Sequence, residues 1–176
     1  MRASSSAYHR GMPNNQASRF ILAWFATGVS DFLWAVVLSV GVYKNTFAQL
    51  WQGVASVPLG KSAMQGGTRT VVIGILLHFA VALAWTTVFF ILTRFGWMQR
   101  ILNSRWGALK VAAVYGPFIW AFMSLVVIPT FTHRFRLPPN WFRWTVQALG
   151  HIVFVALPMI AVYQRTRVES AAPAAA

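Results

Sequence analysis

The sequence predicts an all-α fold: a polytopic membrane bundle of four transmembrane helices, with one short interfacial or re-entrant helix between the first and second. Three observations carry that expectation. Hydrophobic residues make up 57% of the 176 residues and charged residues only 10%, which leaves no stretch for a separate aqueous catalytic domain. Four apolar runs, about 20–43, 71–93, 111–131 and 145–163, are each about as long as the ~20 helical residues that cross a bilayer's hydrocarbon core. Tryptophan and basic residues gather between these runs, as membrane-interface anchors do.

Residues 1–19 read as a flexible basic leader carrying Arg2, Arg10 and Arg19. The apolar run behind it is too long for a signal-peptide core and lacks a clear small-residue cleavage site, so it reads as a retained first span. In its middle stands Asp31, one of two acidic residues in the chain. A carboxylate at mid-membrane depth costs about 2.5–3.5 kcal/mol on insertion scales, so Asp31 is expected to face protein rather than lipid. Ala23, Thr27, Asp31, Ala35 and Ser39 recur every four residues and share one helix face. Such small residues let a second helix approach closely.

The connector after this span contains residues 46–57, where Phe47, Leu50, Trp51 and Val54 fall at helical spacing with Gln49, Gln52 and Ser56 opposite. This is the pattern of a helix lying in the interface plane, or of a re-entrant lid dipping into the bilayer. Pro58, Gly60, Gly66 and Gly67 are expected to break regular structure after it. The second span repeats the small or polar file as Gly74, His78, Ala82 and Thr86. A short loop with Arg94, Arg100, Arg105 and Lys110 follows, then a third span containing Pro117 and packing through Ala112, Gly116 and Ser124. The fourth span carries Gly150, His151 and Pro158, and residues 164–176 read as a disordered tail. Gly28, Ala35, Gly74, Ala82, Gly116 and Gly150 are the expected helix-packing positions.

The formal charge of +13 is spread over five hydrophilic segments without a nucleic-acid motif, so the expected partner is the bilayer with its anionic headgroups, and no nucleic acid. A protein partner or homo-oligomer is left open. The leader, second loop and tail hold nine Lys/Arg against six in the first and third loops. The positive-inside rule therefore puts both termini in the cytoplasm of a cell inner (plasma) membrane. The absence of cysteine excludes disulfides, thiolate metal sites and thiol catalysis.

Asp31, His78 and His151 fall within one slab near the membrane centre and form the expected intramembrane polar or ion site. Four readings stay open for it: a lock between helices, a proton or ion relay, a divalent-metal ligand set, and a haem held by His78 and His151. No cofactor is expected on balance. His133 reads as a loop residue, Trp34 and Tyr115 as packing, and Glu169 as without a role. No nucleophile, phosphate loop or acidic pair points to an enzyme.

Several short motifs carry a likeness: Gln52-Gly-Val-Ala-Ser-Val-Pro-Leu-Gly60, Gly66-Gly67, Gly74-Ile-Leu-Leu-His78-Phe79, Val127-Ile-Pro129, Gly150-His151 with Leu157-Pro158, and Gly28 three residues before Asp31. Over about residues 20–163 the chain resembles a group of small four-span bacterial inner-membrane proteins of unknown function. The resemblance implies a bacterial membrane setting and supplies no activity. The functional expectation is an integral membrane protein with a buried Asp/His core, serving proton- or ion-linked transport. Its alternative is a non-catalytic membrane subunit or scaffold in which the cluster only locks helices.

Overall fold

The structure, a computed structural model, describes residues 16–132 and 140–171. The leader as far as residue 15, His133 with its loop to residue 139, and residues 172–176 lie outside the described residues. Four helices are long and apolar enough to cross a membrane: α1 (Gln16–Val42), α3 (Gly67–Leu92), α5 (Gly107–Thr132) and α6 (Trp141–Thr166). The connector helix is α2 (Phe47–Leu59), and the second loop holds a short α4 (Gly96–Leu102). The described residues contain no strand. The expected all-α bundle is therefore the fold, and the chain is a multi-pass membrane protein. Helix α6 continues to Ala171, beyond the expected start of the tail, so helix covers much of what was expected to be disordered.

Helix α1 packs against α3 on one side and α6 on the other, and α5 packs against α6. The antiparallel register of α1 and α3 can be followed through contacts. Phe20 meets Phe90 with ring centroids 5.2 Å apart, and an ideal Cβ on Gly28 would lie 2.7 Å from the Phe79 ring. The Trp24 indole N–H donates to the Phe79 carbonyl at 2.9 Å. On the other pair, an ideal Cβ on Gly116 would come within 2.6 Å of the His151 carbonyl oxygen, so α5 and α6 nearly touch by backbone there. Tyr115 ties α5 to α3 by donating to the Trp85 carbonyl at 2.7 Å. Between helices in lipid, close packing and such hydrogen bonds replace the hydrophobic effect as the source of association.

Three of the four spans contain a π-helical segment: residues Val37–Val42, Met123–Val127 and His151–Ala156. Two of these end two residues before a proline, Pro129 and Pro158. A proline ring inside a helix clashes with the carbonyl four residues back. Those carbonyls belong to Leu125 and Phe154, both inside the widened turns, so the π segments absorb the clash. Pro117 lies in regular α-helix.

Helix α2 starts at a capping box: Gln49 N–H donates to Thr46 Oγ1 at 3.1 Å, and Thr46 N–H donates to Gln49 Oε1 at 2.8 Å. It runs through Pro58 to Leu59 and stops at Gly60, whose φ of 79° suits glycine. Its buried face is Trp51, Gln52 and Ala55, rotated from the expected apolar stripe, and Phe47 stays 44% exposed. The polar Gln52 turns inward because its amide donates to the Gly67 carbonyl at 3.3 Å. Gly74 makes this docking possible, since an ideal Cβ there would lie 1.9 Å from the Trp51 carbonyl oxygen. Gly74 is about 8 Å from the midpoint of α3 at 1.5 Å per residue. That is well inside the ~15 Å half-thickness of a hydrocarbon core, a depth that fits a re-entrant helix better than one lying in the interface plane.

Candidate functional site: the contact between Asp31 and His78

Asp31 and His78 lie about 3 Å and 2 Å from the midpoints of α1 and α3 at 1.5 Å per residue. Asp31 Oδ2 is 3.9 Å from His78 Nδ1, with the two side chains 23% and 11% exposed. The separation is too long for a hydrogen bond. The other ring nitrogen, Nε2, is 3.0 Å from the Gly28 carbonyl, which can only accept. Nε2 therefore carries the proton, and Nδ1 is the atom turned to the carboxyl group. Contact at Nδ1 is attractive when one further proton sits on either partner, and repulsive when a bare lone pair meets a carboxylate.

Aromatic rings enclose the imidazole. Trp51 from α2, Phe79 from α3 and Phe32 from α1 stand edge-on to it, at centroid distances of 5.2, 5.4 and 6.1 Å. Phe32 and Trp51 stack on one another at 4.6 Å. Trp51 is fully buried, and its indole N–H has no hydrogen-bond partner. The site thus sits where α1, α2 and α3 meet. Gly28 and Gly74 each remove a Cβ that would hold two of these helices apart.

The expected three-residue core does not form. Among the described residues only His78 brings a basic nitrogen within 4.0 Å of the Asp31 carboxyl group, and both side chains are partly exposed rather than fully buried. His151 Nδ1 donates instead to the Gln147 carbonyl of its own helix at 2.7 Å, and the His151 backbone faces Gly116 on α5. The position of α6 that meets α1 at this level is Gly150. There Trp34 lies across the helix, close enough that a Cβ would fall 2.3 Å from its indole nitrogen, and stacks on Phe154 at 4.6 Å. One residue along a helix is a rotation of about 100°, which carries His151 away from Asp31. The metal and haem readings both required His151, and no group of three His, Cys, Asp or Glu side chains gathers among the described residues. Of the remaining packing positions, Ala82 is buried beside Gly28 and Ala35 is half-buried.

The sequence reading missed Trp51, Phe32 and Phe79 as the walls of this site. The only available signal was that Phe32 and Phe79 each adjoin a titratable residue, Asp31 and His78, in the sequence. A second cluster lies just outside the apolar span, where the Arg143 guanidinium sits 4.3 Å over the Tyr43 ring. The buried Tyr43 hydroxyl has no hydrogen-bond partner. Burial pushes that phenol above its usual value, against a smaller downward pull from Arg143. Compared with known proteins, the chain matches no protein-family model, no curated protein and no solved structure.

Proposed function

We propose that this chain is a non-catalytic membrane subunit or scaffold in which Asp31 and His78 help lock α1, α2 and α3 together. The observation that carries this reading is the packing of His78. Its Nε2 is engaged by the Gly28 carbonyl and its ring is walled by Trp51, Phe32 and Phe79. A relay needs a wetted path to the titrating nitrogen, whereas a lock needs dry aromatic packing of this kind. The basic-residue bias supports both termini in the cytoplasm, and the motif likeness supports a bacterial inner membrane.

Transport is the second reading, favoured by one feature. The Asp31 carboxyl group takes part in no hydrogen bond among the described residues and keeps about a quarter of its side chain exposed, leaving it open to a coupling ion.

Replacing Asp31 by Asn separates the two. The amide keeps the shape and can donate to Nδ1, but it cannot release a proton. Under the lock reading Asp31→Asn folds normally and changes unfolding free energy by less than about 1 kcal/mol, within the range of membrane polar contacts. His78→Leu, which removes the bond to Gly28, costs about 1–3 kcal/mol. Neither wild type nor variant then moves protons in vesicles under imposed ion gradients. Gradient-driven proton flux in wild type that Asp31→Asn abolishes would replace the lock with transport.

A further inference from the structure

A groove of about 400 Å³ lies between the start of α1 and the end of α3, at the end of the bundle away from α2. Its walls are Phe20, Phe90 and Ile91, and its mouth carries Gln16 and Arg94. Phe20 and Phe90 meet edge to face at its base, while Ile91 stays 50% exposed. The Arg94 guanidinium has no hydrogen bond or ion pair among the described residues.

Depth separates the groove into two zones. Measured from the midpoint of α3 at 1.5 Å per residue, Thr87 lies at about 11 Å and Phe90 at about 16 Å, and Arg94 stands in the turn just past Leu92, the last residue of the helix. A hydrocarbon core ends about 15 Å from its centre, so the aromatic walls meet acyl chains and the guanidinium reaches headgroup level. The chain carries fifteen Lys/Arg against two Asp/Glu, so anions from outside the protein must balance most of its cations. Thr87 is not a free donor, because its hydroxyl donates to the Leu83 carbonyl.

We infer that this groove binds one anionic glycerophospholipid, with its phosphodiester on the Arg94 guanidinium and the Gln16 amide and an acyl chain along Phe20, Phe90 and Ile91. Guanidinium recognises phosphate oxygens through paired N–H donors, and a cation near the membrane surface favours anionic over zwitterionic lipid. The inference is independent of the Asp31–His78 lock.

The test is native mass spectrometry of the purified full-length protein, released from micelles doped with phosphatidylglycerol or phosphatidylcholine. Wild type should retain one phosphatidylglycerol with a preference of roughly five- to tenfold over phosphatidylcholine. Arg94→Gln should lose that preference, and Ile91→Trp should lose the bound lipid by filling the groove while leaving the charge in place. Both positions are exposed, so the variants should fold, and unchanged thermal unfolding would verify it. Arg100→Gln, outside the groove, should behave as wild type. Equal retention of the two lipids, or retention unchanged in both groove variants, would overturn the site. Displacement by millimolar inorganic phosphate would mark it as a phosphate site and also overturn the lipid assignment. Loss of preference in Arg100→Gln as much as in Arg94→Gln would reduce it to diffuse surface charge.

Discussion

Gly74→Ala tests the docking of α2 directly. The new Cβ would start 1.9 Å from the Trp51 carbonyl oxygen, and ordinary contact begins at 3.4 Å, so α2 must retreat by about 1.5 Å (3.4 − 1.9). That oxygen belongs to the helix backbone and cannot rotate aside. The whole helix moves, and fully buried Trp51 leaves its seat against Phe32 and His78. Overpacking of this kind costs about 1–3 kcal/mol, here at the upper end because backbone is involved. Alanine recovers up to ~1 kcal/mol of helix propensity, so the net loss should be about 2 kcal/mol.

Gly53→Ala is the matched control. It lies inside α2 with nothing within 4 Å of its virtual Cβ, and should stabilise by about 0.5–1 kcal/mol. The two substitutions should thus differ by roughly 3 kcal/mol, about a hundredfold in the unfolding equilibrium. Reversible unfolding in mixed detergent micelles measures that difference. A local readout comes from Ala55→Cys, which places a unique thiol at a fully buried site in a chain with no cysteine. Its maleimide labelling should be slow beside Gly74 and fast beside alanine. Equal stability of the Gly74 and Gly53 variants, with the thiol equally protected, would refute the backbone contact.

Two further expectations concern the start of the first connector. Thr46→Ala removes the capping acceptor of α2 and should cost about 0.5–2 kcal/mol, seen as faster amide exchange in the first turn and not in α3. Tyr43 gives an alkaline signature. Its folded-state value is raised, so its contribution is fully present below the ordinary phenol value of 10.0 and is lost as pH rises through the raised value. Tyr43→Phe should remove that loss, and unfolding midpoints followed above about pH 10 would measure it.

The site was partly legible in the residues. Asp31 and His78 stand out because an ionisable group in an apolar span needs a reason, and small residues at spacing four mark the faces that meet. The partner of each histidine was not legible. Depth along a helix follows from residue count, which puts Asp31, His78 and His151 in one slab, but direction around the axis depends on which face each neighbour takes. A π segment beginning at His151 lies in the same turn, and local widening of this kind is invisible to a count of residues. Gln52 shows the same limit: its polarity suggested the outer face of α2, yet the Gly67 carbonyl at the start of α3, which also accepts from the Thr70 hydroxyl, takes its amide inward.

By itself the sequence determined four membrane crossings and the helical connector, because continuous apolar length and capping are local properties of the chain. It also supplied the glycines at which helices approach. The tertiary structure alone decided that Trp51 walls in His78, that His151 turns back on its own helix, and that Arg94 stands over a groove. Each of these depends on how helices distant in sequence are rotated against one another, and local periodicity carries no record of that angle.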